Sequence, residues 1–380
     1  MLSTNTDHPY QTVRQQVAKL LAEVLTFNLT YHTTQHGDQV ESKKWNVGDG
    51  FPSPKDFIQS MLPQLTNSFQ AIATCNQTKQ DQTQLANMLE TLALFLWRYI
   101  QATPACIPIE FYQLLPFLCQ FIGIEVHEGL SHTCLNALCF LSICCVSRGS
   151  IPHVLDTVEN VSQSTSWKAR LSIPEFLQIF VQTNFMSMCL KQDLVARCEK
   201  IVVDRLCDDN VNVKSKAAKV LCGMIHSKFI EHQTLLLSKF REKICLHDET
   251  NNDTRTRSFP PEAKKRRKDK QKFQTLYDHK DFFKMLTKDK KMLCAYHSGI
   301  LGLCSLVEAY PHDVPSFMPE VLMELQRHLH DPQPVPKTIK RTLQEFKRTH
   351  QDNWEEHKLK FTEDQLMALT DLLVSQNYYA

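Results

Sequence analysis

The chain has 380 residues, of which 42% are hydrophobic and 22% are charged, a composition typical of a folded protein and not of a disordered one. Its 9 glycines argue against many tight hairpins, and the sequence shows neither a signal peptide nor an apolar run long enough to span a membrane. The net charge is +2, but positive charge is concentrated in residues 255–291, which carry 14 Lys and Arg against 5 Asp and Glu.

The first predicted helix runs from Tyr10 to Leu25, where apolar residues recur at helical spacing. It opens almost directly at Met1, although the terminal repeats of a helical array need a polar outer face. We therefore expect its apolar face to be left bare, either because the chain dimerises there or because the sequence is the end of a longer array. Two polar inserts follow, Tyr31 to Lys55 and Cys75 to Gln84, and both are predicted to be loops.

Three apolar helical stretches come next: Leu85 to Ile100, Ile109 to Ile124 and Cys134 to Val146. The last contains four of the 14 cysteines, and the sequence has no Cys-x-x-Cys motif. A thiol within an apolar helix behaves as a small hydrophobic side chain. The cysteines are therefore predicted to pack in the core of a protein in a reducing compartment, without disulfides or a metal.

A repeated helix pair is the clearest internal pattern of the chain. Asp193 to Cys207 and Val211 to His226 are both amphipathic. The turn Asp208-Asp209-Asn210 lies between them, and we expect its Asp to cap the second helix. The second-helix pattern also occurs 46 residues upstream, with Lys168 in the place of Lys214, and again after Asp331. This spacing is typical of HEAT repeats. The sequence therefore predicts an all-α, HEAT/armadillo-like solenoid.

A polar and basic segment interrupts these repeats. We predict helical repeats over 1–247, a basic, largely disordered loop over 248–291, and a C-terminal helical block over 292–380. The loop contains the run Lys264-Lys265-Arg266-Arg267-Lys268, which suits a nuclear localisation signal, a phosphate-binding patch or a solvated loop. Nuclear targeting is favoured, so we expect the nucleus and the cytoplasm as locations. Sequence-specific nucleic-acid recognition is not expected, because no groove-reading element or stacking aromatic accompanies the run.

No constellation of catalytic residues emerges from the sequence. His127 and His132 resemble a zinc-protease box, but at i and i+5 on a helix they point about 140° apart and cannot share a metal. No Gly-rich phosphate loop or nucleophile elbow occurs. His350 and His357 flank Trp354 on a charged helix, where we expect a surface or groove position. The sequence therefore predicts neither an enzyme nor a metal site.

The C-terminal stretch predicts a helix with a defined start and a polar end. Thr362 is the predicted N-cap and Gln365 its capping-box partner, while Phe361 and Leu366 are placed to form a hydrophobic staple. The sequence ends at Tyr378-Tyr379-Ala380, two aromatic rings before a carboxylate. Such an end suits a pocket that buries the rings, hydrogen-bonds the hydroxyls and pairs the carboxylate with a cation.

From this block onward the chain resembles the C-terminal part of the large HEAT-repeat proteasome activator family, the proteasome activator complex subunit 4-like proteins. The segments that carry the likeness are Tyr296 to Leu303, Asp313 to Pro315, Met318-Pro319, Asp331 to Pro334, Arg348 to Trp354, Glu356 to Lys358, Phe361-Thr362, Asp364 to Leu366, Leu369 to Ser375 and Tyr378 to Ala380. A weaker likeness covers Ser166 to Arg170 and the stretch from His8 to Arg14. Family members are several times longer, so we expect Met1 to fall within a longer solenoid, as in a truncated product or an incomplete gene model.

The resemblance implies an activator, independent of ATP and ubiquitin, that binds the α-ring of the 20S proteasome core particle and promotes gate opening. By the same likeness Tyr378 is the hydrophobic anchor, Tyr379 has the hydrogen-bonded hydroxyl, and the Ala380 carboxylate pairs with a lysine of the pocket. The alternative is a generic HEAT-repeat adaptor or a scaffold of the nuclear-transport type, whose concave face would matter and not its terminus.

The family also acts on acetylated histones, in histone degradation and DNA repair, through a bromodomain-like segment. The expected Asn-Phe pair aligns near Lys228 and Phe229, and Lys in place of Asn removes the acceptor for the acetamide N–H. Inositol phosphates bind basic channels in the family, so the resemblance implies this ligand without assigning residues to it. No other cofactor and no membrane partner are expected.

Overall fold

The computed structural model of the chain describes residues 5–33, 53–73, 79–103, 107–122, 129–245 and 290–374. Within these ranges the regular structure is helical and no β-strand occurs. None of the described helices combines the length and apolarity needed to cross a bilayer. The helices belong to two compact units, Met1–Ile201 and Val202–Ala380. The predicted all-α, HEAT-like fold is confirmed.

The first unit alternates helices between two layers. Its elements are α1 (Gln11–Thr33), α2 (Pro54–Ala73), α3 (Lys79–Ala102), a 3-10 segment (Ile109–Leu114), α4 (Leu115–Phe121), α5 (Leu130–Ser142), α6 (Ile151–Ser162), α7 (Trp167–Thr183), α8 (Phe185–Met188) and most of α9 (Gln192–Arg205). Helices α1, α3, α5 and α7 pack one against the next, while the 3-10 segment contacts α2, α4 and α6. This stacking of every second element is the packing expected of helical repeats.

An aromatic cluster fills the core of this unit. Phe95 and Tyr99, one turn apart on α3, are both fully buried and both contact the Phe111 ring of the 3-10 segment. The Tyr99 and Phe111 rings meet edge to face with centroids 5.0 Å apart, and Phe57 of α2 reaches Phe95 at 5.4 Å. Edge-to-face pairs add to the stabilisation that burial of the rings supplies.

Helix α1 does not leave its apolar face bare, so that expectation was wrong. It packs along α3, and Val17 and Leu21 are buried there. At the start of the helix the Arg14 guanidinium forms a buried ion pair with Glu90 of α3, with Nη2 2.5 Å from Oε2. The physical reason is that the partner of α1 follows it in the chain, so burial of this face needs no preceding helix.

Both predicted inserts are partly helical. Tyr31 to Thr33 still belong to α1, α2 begins at Pro54, and α3 begins at Lys79, so Lys79 to Gln84 is a helix and not a loop. The first turns of α3 are largely solvent-exposed and need no apolar residues, and Asp81 complements the positive end of the helix dipole. Low hydrophobicity therefore marked an exposed helix start and not a break in structure.

The two helices predicted for this repeat are confirmed, with α9 ending at Arg205 and α10 spanning Val211–His226. Asn210 is the N-cap of α10, where its Oδ1 accepts the Asn212 N–H at 2.9 Å. The predicted helix over Ile109 to Ile124 instead begins as a 3-10 segment. The α-helix cannot start earlier because Pro116 has no N–H to donate to the preceding turn of a continuous α-helix.

The second unit is organised around one central helix. Its elements after the end of α9 are α10 (Val211–His226), α11 (Gln233–Cys245), α12 (Lys290–Glu308), α13 (Met318–Arg327), α14 (Val335–His350), α15 (Trp354–His357) and α16 (Glu363–Val374). Helix α12 contacts α10, α11, α13 and α14. Two glycines on α12 allow the close approach of α11, because a Cβ at Gly299 would lie 2.8 Å from the Phe240 carbonyl oxygen and one at Gly302 would lie 2.5 Å from Cε1 of the Phe240 ring.

Candidate docking site

The last described helix, α16, has a start that is fixed by its own sequence. The Thr362 N–H donates to Gln365 Oε1 at 2.9 Å, and the Gln365 N–H donates to Thr362 Oγ1 at 3.3 Å. The predicted capping box is therefore confirmed. Phe361 is buried and Leu366 is half-buried, on the two sides of the cap where a staple would lie.

Tertiary contacts hold α16 in place against the rest of its unit. Helix α16 packs against α13 and α14, with Leu369 only 1% exposed. Immediately before the helix, Lys360 Nζ lies 2.6 Å from Asp313 Oδ1, in the segment between α12 and α13. The hydrogen bond from Lys360 lowers the pKa of the Asp313 carboxyl. This pair joins residues 47 positions apart, so no local sequence pattern predicts it.

A series of ring contacts connects α14 to the start of α16. The Phe346 ring stacks on His350 with centroids 4.2 Å apart, and His350 meets His357 at 5.0 Å. The Trp354 ring lies 5.9 Å from Phe361, which precedes the cap of α16. These contacts and the capping box together define the base from which residues 375–380 continue.

The expected surface position of His350 and His357 was wrong, since they are only 1% and 5% exposed. The helix of α14 ends at His350, and the short α15 turns the chain so that His357 faces back onto it. Burial is the main cause that lowers the pKa of His350, whose Nε2 lies 3.2 Å from the Asp313 carbonyl oxygen. Among the described residues no cluster of three metal-binding side chains occurs.

His297 on α12 is a third buried imidazole, only 6% exposed. Its Nε2 lies 3.2 Å from Thr338 Oγ1 of α14. Burial, and then the charge of Lys214, lowers the pKa of His297 from 6.5 to about 4. His297 is therefore neutral in the folded protein at neutral pH.

We expect the second unit to lose stability as the pH falls from about 6.5 towards 4. Between these pH values His297 is protonated in the unfolded chain and stays neutral in the folded protein, so protonation favours unfolding. The loss attributable to His297 between about pH 7 and about pH 5 is about 2 kcal/mol. Urea unfolding at several pH values measures it, with His297→Gln as the comparison because carboxylates also titrate in acid. An equal pH slope in both proteins would contradict the assignment.

Several residues that the sequence singled out lie outside the described residues. These are the terminal Tyr378, Tyr379 and Ala380 and the basic run Lys264, Lys265, Arg266, Arg267 and Lys268. Lys228 and Phe229, by contrast, are described, in the turn after α10. Lys228 is exposed with φ at 59°, and Phe229 is buried at 2% exposure. The Phe229 ring is thus part of the core and does not line an open surface.

The fold and the anchored α16 define a class: an all-α, HEAT-like protein whose C-terminal block holds a capped terminal helix. A family model described as "Proteasome activator complex subunit 4-like, C-terminal" matches residues 293–380, from α12 to the last residue. Proteasome activator complex subunit 4A of Danio rerio is 34% identical over 307 residues, which is 80% of this chain and 15% of that protein.

Proteasome activator complex subunit 4 of Homo sapiens is 32% identical over 307 residues, which is 80% of this chain and 15% of that protein. Proteasome activator BLM10 of Saccharomyces cerevisiae is 22% identical over 98% of this chain and 16% of its own length. The chain belongs to the proteasome activator complex subunit 4 family and contains its C-terminal block. It spans about 15% of the length of the first relatives.

Proposed function

We propose that the chain is a non-catalytic proteasome activator-type protein that docks its C-terminal residues on the α-ring of the 20S core particle. The observation that carries the proposal is the family match, which begins at residue 293 and continues to Ala380. Its relatives carry the name of proteasome activators. Docking would favour the open form of the gate by binding that form more tightly, without ATP or ubiquitin.

The geometry of α16 supports this role for the end of the chain. The capping box and the Lys360–Asp313 pair fix the helix start, and Leu369 buries its inner face. Six residues follow Val374, and even a fully extended segment of that length reaches only about 20 Å. A fixed base of this kind restricts where Tyr378, Tyr379 and Ala380 can bind.

The chemistry of the last three residues fits a pocket between adjacent α-subunits. The rings of Tyr378 and Tyr379 offer apolar area, their hydroxyls offer hydrogen bonds, and the Ala380 carboxylate offers an ion pair to a lysine.

The run Lys264 to Lys268 is proposed as the nuclear localisation signal that would accompany a role in histone degradation and DNA repair. Acetylated histones and an inositol phosphate are proposed as ligands through the family likeness alone.

Co-sedimentation with purified 20S core particle, together with hydrolysis of a fluorogenic peptide, tests the proposal. We expect the full chain to bind and to stimulate hydrolysis. A matched control carries one extra glycine after Ala380, which displaces the carboxylate and leaves every helix intact. We expect this control to lose binding. Equal binding of both proteins would instead favour the generic HEAT-repeat adaptor, in which a change at the C-terminus does not affect binding.

A further inference from the structure

A buried lysine in the second unit contacts a cysteine from another helix. Lys214 of α10 is only 6% exposed, and its Nζ lies 2.8 Å from Sγ of Cys294 on α12. Within the described parts of the chain Lys214 forms no ion pair with Asp or Glu, and its Nζ donates a hydrogen bond to the Cys294 sulfur. A buried ammonium without a carboxylate is costly, which makes this contact unusual for a purely structural lysine.

Cys294 differs from the core cysteines in exposure and surroundings. Burial raises the pKa of Cys119, Cys134, Cys198 and Cys304 to about 12, so these thiols are inert. Cys294 is only half-buried, so a small oxidant in solution can reach it. The Lys214 Nζ lies 2.8 Å from its Sγ, so a nitrogen nucleophile is within bonding reach once the sulfur is oxidised.

We infer that Lys214 and Cys294 form a modification site, at which hydrogen peroxide joins the two side chains through a reversible sulfenamide bond. In the first step the Cys294 thiol is oxidised to a sulfenic acid and the peroxide is reduced to water. In the second, the deprotonated Lys214 amine attacks the sulfur, forming the S–N bond, and the sulfenic hydroxyl leaves as water. The lysine releases one proton to solvent for each link formed. Two molecules of a thiol reductant restore both side chains and form one disulfide.

The link would bind α10 to α12 across 80 residues of chain. Because α12 is the central helix of the second unit, the bond would restrict the unfolded chain and stabilise the packed helices. A neighbouring pair provides an internal comparison: Lys243 Nζ is 3.5 Å from Cys207 Sγ, which also lies 2.9 Å from Ser298 Oγ. Because this separation is longer, we expect Lys243 and Cys207 to form a link more slowly than Lys214 and Cys294.

The test treats the full chain with hydrogen peroxide and identifies the products by mass spectrometry after tryptic digestion. We expect a protein that has lost two hydrogens, with the peptide containing Lys214 joined to the peptide containing Cys294. Dithiothreitol should restore the original mass. The same treatment of the urea-unfolded chain should give no such link, because the 2.8 Å contact is then absent.

Three variants separate this link from other oxidation products. Lys214→Arg keeps a cation but no nucleophilic amine, so it should prevent the link and leave Cys294 to be oxidised further. Cys294→Ser should also prevent it. Cys207→Ser should leave the link unchanged. This substitution removes only the alternative product, a Cys207–Cys294 disulfide, which would also lower the mass of the protein by two hydrogens. The inference would be overturned if the link between Lys214 and Cys294 did not form and the product were instead a Cys207–Cys294 disulfide, a Lys243–Cys207 link alone, or only sulfinic acid at Cys294.

Discussion

Replacing Tyr379 by alanine is expected to weaken binding of the chain to the 20S core particle by about thirtyfold or more. In the proposed complex this side chain buries an aromatic ring and donates a hydrogen bond from its hydroxyl. Truncation of a buried aromatic anchor at an interface costs about 2–4 kcal/mol. Sedimentation or surface-based binding measurements on the full chain give the change, and peptide hydrolysis by the core particle should fall in parallel.

Two control substitutions show which part of Tyr379 matters. Tyr379→Phe keeps the ring and loses the hydroxyl, so we expect a loss of less than about tenfold, the value of one hydrogen bond. Tyr10→Ala removes a tyrosine that is 70% exposed in the first unit, and binding should not change. If Tyr379→Ala bound as tightly as Tyr10→Ala, the terminus would not be the docking element and the proposed function would fail.

The elements that could be predicted are those whose cause lies within a few residues of sequence. The capping box between Thr362 and Gln365 depends on two side chains three positions apart, and it forms as expected. The apolar periodicity of α10 likewise predicts that helix, although its N-cap is Asn210 and not the Asp of the same turn that was expected to cap it. Local patterns of this kind are sufficient to identify an all-α repeat fold.

What could not be predicted depends on partners far along the chain. His350 and His357 are seven positions apart among charged residues, and only the turn at α15 brings their rings together in the interior. The Lys360–Asp313 pair, which helps to fix the base of the candidate docking site, spans 47 positions. The outcome for Tyr378 to Ala380 stays a prediction, since these residues lie outside those that the structure describes.

Gly302→Ala is expected to destabilise the second unit by about 2 kcal/mol, although alanine normally stabilises a helix interior by about 1 kcal/mol over glycine. The reason is the close approach of α11 to α12, since a Cβ at position 302 would lie 2.5 Å from Cε1 of the Phe240 ring. That ring is fully buried and belongs to a packed core, so it has little room to move. Chemical denaturation followed by circular dichroism measures the change.

Substitution at Phe240 and at a second glycine distinguishes this clash from a general effect of the mutation. Because the penalty arises from the ring, Gly302→Ala should cost much less in a Phe240→Leu background, which makes the two substitutions non-additive. Gly149→Ala is the matched control, because a Cβ there meets no atom within 4 Å, and it should leave stability nearly unchanged. Additive effects at Gly302 and Phe240 would mean that α11 and α12 are not held together by this contact.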